Sequence, residues 1–328
     1  MNRLPNRLLA NRLLENAAET DPRRAAEAVD ALALLLAGQD ARAEEVLRLV
    51  PGRRAILGGL WQGRAAVFHL ALIPQEAEAQ AARHEEQKRV HGYMREGPCR
   101  VPEPLALLEG GQVAVVERVG GVPLLDAMWQ ATRDDRPALQ ARGAVWLATH
   151  AAPTLADGPS NRGPWRKWAA AGVDRQTHDR LKPLETRILQ KMHALARQMR
   201  AVKTWRCALG HGDFHPNNLL QDGDTTWGID LGASTRAPVC RDIARFLVHA
   251  ARRGMIPSGQ RKFGVDAGGI AAFAEAFSLT QQELDGDLPF FICHELLSRV
   301  EHPDMPQKRI THTVALSRAL LQDLKALV

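Results

Sequence analysis

The sequence predicts an α+β chain: a small antiparallel-sheet unit, then a larger, mainly helical unit, with a helical extension ahead of both. Three observations lead there. Residues 53–120 read as strand, strand, helix, strand, strand, the order of a compact antiparallel sheet carrying one helix. Residues 121–328 are mostly helical in pattern, interrupted at 205–235 by short strand-like runs alternating with turns. Residues 1–50 have the apolar spacing of helices. At 328 residues the chain is long for a single small core, which gives boundaries at 1–50, 51–120 and 121–328.

The elements follow in order. "NRLL" occurs at 6–9 and again at 11–14, setting Leu8, Leu9 and Leu13 at helical spacing. Thr20-Asp21-Pro22 reads as a helix start, because proline suits an early helical position. Val29, Leu32, Leu35 and Leu36 form an apolar stripe that Gly38 ends, and a short helix is expected near 41–49, ahead of Pro51-Gly52. These helices offer packing on the small unit or a homodimer contact. "RAILGGLW" and "RAAVFHLAL" flank "QG", a hairpin signal, and 76–94 reads as a charged helix. "VPEPLALLEG" and "QVAVVERV" give two more strands around Gly110-Gly111. Beyond them, helices are expected near 124–132, 137–151, 174–203, 239–253, 269–277, 280–300 and 306–327, with short strands in "ALGHGDF", "NLLQDG" and "TTWGIDLG".

Composition narrows the class. The 45% hydrophobic and 24% charged content is that of a soluble globular protein. The longest apolar run, "ALALLLA" at 31–37, is far shorter than the ~18 residues a membrane span needs. The N-terminal stretch lacks the apolar core of a secretory signal. Cys99, Cys207, Cys240 and Cys293 are scattered with no CxxC pair, which points to free thiols and a reducing, cytoplasmic location. Residues 1–120 hold 16 basic and 16 acidic side chains, and residues 121–328 hold 27 and 21, so the whole net charge of +6 lies in the C-terminal part. Such an excess is ordinarily solvated surface; it also suits an anionic partner. One tyrosine and eight phenylalanines offer little base stacking, so no nucleic acid is expected.

The chemistry concentrates in "LGHGDFHPNNLL" at 209–220. The strand "TTWGID" delivers Asp230 at its end, and "NNLLQDG" pairs with it through Asp222-Gly223-Asp224, so a hairpin brings Asn218 close to Asp230, with Asp213 on the loop entering it. Carboxylate and amide oxygens suit Mg²⁺, which also seeks phosphate oxygens. A carboxylate beside that metal could take a proton from a hydroxyl attacking phosphate. Two rival readings exist. H-x-D-x-H could chelate a transition metal, as in a metal hydrolase, and a polar loop could merely cap a helix. Both leave Asn218 and the Asp230 hairpin unexplained.

The order and spacing resemble the protein-kinase-like phosphotransferases. His211-Gly212-Asp213 with Asn218 resembles their catalytic loop, and Ile229-Asp230-Leu231-Gly232 their metal-binding aspartate. The form H-G-D-x-H-x-x-N is more specifically similar to the aminoglycoside phosphotransferase and choline kinase family, as is "RDIARFL" at 241–247, where Asp242 matches an aspartate that braces the catalytic loop. The resemblance covers roughly residues 50–328. It implies a bilobal fold, ATP and Mg²⁺ as cofactors bound between the lobes, and a small-molecule hydroxyl as acceptor. Asp213 would orient or deprotonate the acceptor, Asn218 and Asp230 would hold Mg²⁺, and His211 would support the loop by hydrogen bonding. His215 has no assigned role. Backbone groups at Glu117 to Val119 would contact adenine, with Gly120-Gly121 turning the chain between lobes.

Residues 53–120 also depart from that family. The third strand should carry a lysine for the ATP α- and β-phosphates, and "RAAVFHLAL" puts His69 there. Strand alternation sets Val67, His69 and Ala71 on one face and Phe68, Leu70 and Leu72 on the other. Glu86, on one helical face with Val90 and Tyr93, is the candidate partner of His69. The turn "PGRR" at 51–54 is poor in glycine for a phosphate-covering loop, and Arg53 or Arg54 could supply a cation. The leading expectation is an ATP- and Mg²⁺-dependent small-molecule kinase, with a neutral or anionic acceptor such as a sugar or nucleoside favoured over an aminoglycoside. Arg252-Arg253 and Arg261-Lys262 form a basic strip near such a pocket in sequence. The second reading is a pseudokinase or regulatory nucleotide-binding module, motivated by His69.

Overall fold

The computed structural model describes residues 22–233, 235–302 and 304–327. The "NRLL" repeats, Thr20 and Asp21 lie outside these residues. The described chain forms two compact units, residues 22–96 with 101–120, and residues 97–100 with 121–327.

The first unit begins with helix α1 (Pro22–Leu35), whose Ala28 and Leu32, with Leu36 just beyond it, are buried in the core while Val29 and Leu35 pack against it. The expected helix at 41–49 is instead strand β1 (Ala41–Val50), antiparallel to β2 (Arg54–Trp61). Ala, Arg, Glu and Leu are good helix formers, but β2 needs a partner along its free edge, and tertiary pairing overrides local propensity. Register shifts between Ala43 and Glu45 and between Val46 and Arg48 fit β1 to that edge. Gly59 permits the close approach, since a Cβ there would lie 2.0 Å from the Arg42 carbonyl oxygen.

Strand β3 (Arg64–Ala71) follows through Gln62-Gly63, both at positive φ as a tight hairpin requires. Ala66, Phe68 and Leu70 point into the core, and Val67 and His69 lie partly buried on the opposite face. Helix α2 (Pro74–Met94) leads to β4 (Cys99–Arg100), which belongs to the second unit. Strands β5 (Pro104–Leu108) and β6 (Val113–Glu117) then complete a five-stranded sheet in the order β1-β2-β3-β6-β5.

In the second unit, β7 (Val122–Pro123), α3 (Leu124–Gln130), α4 (Arg136–Ala151) and β8 (Ala156–Pro159) come first. Helix α5 (Gly163–Arg175), which the sequence reading did not anticipate, precedes α6 (Lys182–Gln198), a shorter form of the helix expected over 174–203, and the two part at Gln176 and His178. There the Gln176 side chain turns to buried Glu185, at 3.1 and 3.2 Å, and the His178 carbonyl takes the first amides of α6. Strands β9 (Thr204–Leu209), β10 (Leu219–Asp222), β11 (Thr225–Gly228) and β12 (Arg236–Pro238) follow. The rest is α7 (Val239–Arg252), β13 (Arg261–Lys262), β14 (Val265–Asp266), α8 (Ala267–Phe277), α9 (Leu288–Ser298) and α10 (Gln307–Leu327). Helix α9 is buried over nearly its whole length, between α5, α6 and α7. Sheets β4-β11-β10-β7 and β12-β9-β8 frame the loop from 210 to 218.

Candidate active site

The loop after β9 is held mainly by its backbone. The His211 amide donates to Asp242 Oδ2 (3.0 Å) and the Gly232 amide to the His211 carbonyl (2.8 Å). Asp242, expected to brace this loop, does so from the first turn of α7, with its other oxygen 3.3 Å from Arg241 Nη1. Burial pushes the Asp242 carboxyl up, opposed by Arg241 and His211. The β10–β11 hairpin turns through Gly223-Asp224 and pairs Leu219 with Gly228. One step further, the Ile229 amide donates to the Asn218 carbonyl (2.9 Å), which makes Asn218 a neighbour of Asp230. Asn218 Nδ2 donates to the Asp213 carbonyl (3.0 Å). Asp213, Asn218 and Asp230 are thus gathered in one loop-and-hairpin system.

Asp230 is exposed and stands at φ 58°, in the left-handed region where Asp is tolerated and where functional sites store strain. With Asn218 Nδ2 committed to Asp213, its Oδ1 is the atom left for a cation. One amide oxygen and one carboxylate suit a hard ion that completes its shell with phosphate and water. The same residues do not suit a softer metal. Among the described residues no three His, Cys, Asp or Glu side chains could hold one, and His211 is sealed in the core. The metal-hydrolase reading therefore lacks its ligands.

Asp213 sits among cations. Its Oδ1 accepts from Arg245 (Nε 3.0 Å, Nη2 2.8 Å) and from Arg299 Nη2 (3.1 Å), and Oδ2 lies 3.4 Å from His215 Nε2. Burial works to raise this carboxyl. The His215 hydrogen bond and the Arg245 and Arg299 charges outweigh it and hold Asp213 well below the usual carboxylate range. Buried Glu295 anchors the pair, 3.1 Å from Arg299 Nε and 4.0 Å from Arg245 Nε.

The sequence missed His215, Arg245 and Arg299. His215 braces Asp213 and stacks on His249 with ring centroids 4.1 Å apart. Arg245 was within reach of sequence reasoning, because it lies three residues after Asp242 in "RDIARFL", on the same face of a helix. Arg299 is 86 residues from Asp213 and carries no spacing signal. The expectation that the His211 ring supports the loop by hydrogen bonding is corrected. Neither ring nitrogen has a hydrogen-bond partner among the described residues. The ring packs edge-on to Trp146 (5.8 Å) and against Phe214 (5.7 Å), so burial lowers its pKa and keeps it neutral. The basic strip is corrected too. Arg252 is buried against Glu301 (3.4 Å) and the Leu296 carbonyl (2.6 Å), and burial pushes it down to about 10. Arg261 is turned to the Gly264 carbonyl, and Lys262 to Asp285 at 3.9 Å.

The remaining predicted residues lie in the first unit. His69 pairs across the sheet with Ile56 and Ala114, and its carbonyl accepts from Gln80 Nε2 (2.7 Å). Glu86 is buried and forks onto Arg89 (2.6 and 2.8 Å), a cation that sequence reading did not assign to it. Arg53 is ion-paired with buried Glu76, which commits one of the two candidate phosphate cations. At the end of β6 the Glu117 amide donates to the Glu103 carbonyl (2.8 Å) and the Arg118 amide to the Ala65 carbonyl (3.0 Å). Among the described residues the Val119 amide has no such partner, so it is the donor available beside the Glu117 strand end.

The architecture is that of known phosphotransferases. It is similar to an aminoglycoside phosphotransferase, APH(4)-Ia, with TM-score 0.52 and 15% identity over 92% of this chain and 98% of that one. A spectinomycin phosphotransferase, APH(9)-Ia, solved with ADP and spectinomycin, gives TM-score 0.56 and 10% identity over 94% and 99%. An amicoumacin kinase solved with AMP-PNP and Ca²⁺ gives TM-score 0.56 and 13% identity over 96% and 99%. At these identities the likeness is one of fold. No curated protein matches this chain in sequence. The model of the phosphotransferase enzyme family matches residues 40–276, most of the chain and the whole of the Asp213–Asp230 system. The chain belongs to the phosphotransferase enzyme family, whose members act on small molecules.

Proposed function

We propose that this enzyme transfers the γ-phosphate of ATP to a hydroxyl of a small molecule, with Mg²⁺ held by Asn218 and Asp230 and the acceptor oriented by Asp213. The observation that carries this reading is the backbone bond from Ile229 to Asn218, which makes Asn218 and Asp230 neighbours across the hairpin, with Asn218 also bonded to the Asp213 carbonyl. Bound there, Mg²⁺ would neutralise the phosphate oxygens. Asp213 is a weak base, being held ionised by Arg245 and Arg299. Its work is to fix the acceptor hydroxyl in line and to take its proton late, which a loose phosphoryl-transfer transition state permits. His69, Glu86 and the backbone from Glu117 to Val119 are assigned to the nucleotide.

Arg245 and Arg299 also bear on the acceptor. A polycationic aminoglycoside would approach Asp213 against two guanidinium groups. A neutral or anionic acceptor, such as a sugar or nucleoside, meets no such cost. The four buried, free cysteines suit a cytoplasmic setting, and no described helix is long and apolar enough to cross a membrane. The second reading, a regulatory nucleotide-binding module with little transfer, draws support from His69 at the lysine position.

Thermal shift with Mg-ATP, then ATP consumption over a panel of alcohols, separates the two. Ligand at 100 times its Kd should add about 2.7 kcal/mol of stability. Asp213→Asn should lower turnover ~10²- to 10⁴-fold with Mg-ATP stabilisation kept, and Asp230→Ala should abolish that stabilisation. Equal turnover in Asp213→Asn removes Asp213 from the chemistry. A thermal shift without turnover on any acceptor favours the module.

A further inference from the structure

We infer that the second unit carries a separate site for a small polyphosphate anion, built by Arg162, Arg166, Arg197, Arg200 and Lys203. These side chains line a pocket of about 290 Å³ with Ser160, and no carboxylate lines it. It opens between the start of α5 and the end of α6, beside Lys203 at the entry to β9. The Asp213 loop leaves the other end of β9, roughly 20 Å away at the rise of an extended strand. The site is therefore distinct from the phosphotransfer centre and does not depend on which acceptor that centre takes.

Five cations around one pocket repel one another, so the arrangement needs a reason. The negative end of α6 offsets part of the repulsion for Arg197 and Arg200. Arg162 is the fixed member of the wall. Its side chain is nine-tenths buried and is aimed by bonds from Nη1 to Ser160 Oγ (3.1 Å) and the Val202 carbonyl (3.2 Å), over the face of Trp205 at 5.0 Å. Its Nε and Nη2 have no hydrogen-bond partner among the described residues, with Asp287 only at 3.9 Å, and Arg166 Nε has none either. Those nitrogens are closed off from solvent, with Asp287 the nearest charge to Arg162, so an anion in the pocket would answer the summed positive field of its wall rather than these donors. Guanidinium forks suit phosphate oxygens, and the N-terminus of the 13-residue α5 adds its positive end to the same wall. The volume exceeds what one phosphate fills, which favours a chain of two or three.

His193 reports on this field. Its Nε2 is buried without a partner, and burial, then Arg166 and Arg197, hold its pKa down. An anion between those arginines would raise that pKa.

The test titrates inorganic tripolyphosphate in EDTA buffer, so that a metal-dependent phosphate site stays silent. Calorimetry should show saturable binding, and the His193 ring signal, assigned through His193→Gln, should titrate at higher pH in its presence. Arg166→Gln with Arg200→Gln should weaken binding at least about tenfold, since each removes charged hydrogen bonds. Arg200→Glu alone, at an exposed position, should weaken it without touching the fold. Asp230→Ala should leave it unchanged. Parallel titrations with pyrophosphate and metal-free ATP tell a free polyphosphate from a nucleotide tail by which binds more tightly. Absent binding, binding untouched by the arginine substitutions, or a His193 pKa that does not move would overturn the proposal.

Discussion

Asp213 takes its character from residues far along the chain. Its spacing to Asn218 is local, so "HGDFHPNN" could be read for what it gathers, and Asp230 followed from one hairpin. The arginines that set its charge state come from the middle of α7 and from Arg299, immediately after α9, positions that only the packing of those two helices brings to one carboxylate. His69 is the opposite case. Its place in β3 follows from alternation and was readable, yet its partners across the sheet do not say what it offers a phosphate. If it stands where the family's lysine stands, His69→Lys supplies a longer, permanently charged group at the same strand position. The expected outcome is a lower KM for ATP with kcat little changed, read from initial rates at saturating acceptor. A KM that stays put, in a variant that melts like the parent, would take His69 out of phosphate binding.

Elements with strong local grammar were read correctly, and those decided by packing were not. Gln62-Gly63 and Gly223-Asp224 fix their hairpins through turn chemistry that needs no distant partner. Strand β1 has helix-forming residues and becomes a strand because β2 lies open beside it. The break between α5 and α6 depends on Gln176 finding Glu185, a contact no periodicity announces. The hairpin carrying Asp230 depends on packing in another way. Trp146, fully buried, bonds the Arg100 carbonyl through Nε1 (3.0 Å), stacks on Phe214 (5.8 Å), and lies across Gly228, where an added Cβ would fall 1.9 Å from its ring. Asp230 follows that contact with only Ile229 between them. Gly228→Ala should therefore cost about 1–3 kcal/mol through overpacking and should also weaken Mg-ATP binding, because relief requires β11 or Trp146 to move. Denaturant melts and a nucleotide titration check both. A destabilised variant with unchanged Mg-ATP affinity would show that Asp230 is positioned independently of this wedge.

For the molecule as a whole, buried histidines set the response to acid. Six described histidines, His84, His193, His211, His249, His294 and His312, have pKa values lowered, in each case chiefly by burial. His249 is the extreme, with Arg253 and His215 adding to burial to push it well below the ordinary range. A group whose folded pKa lies below its unfolded value binds more protons when unfolded, so stability rises with pH up to the unfolded value of about 6.5 and is lost as pH falls beneath it. Asp213 is a carboxylate with a depressed folded pKa, and what it contributes persists until pH falls below about 3.9. Glu185, Asp242 and Asp287 act in the other sense, since burial holds them up and acidification relieves the cost of their charge. The histidines outnumber them and their unfolded forms protonate first. The expected profile is a plateau of Tm above about pH 7 and a decline that begins near pH 6.5, well before carboxylates titrate. His249→Gln should make that decline shallower between pH 7 and 5, whatever it does to the plateau. Calorimetric melts at half-unit steps measure both, and a Tm that holds level to pH 5 would mean that these imidazoles gain in the unfolded chain no proton that folding denies them.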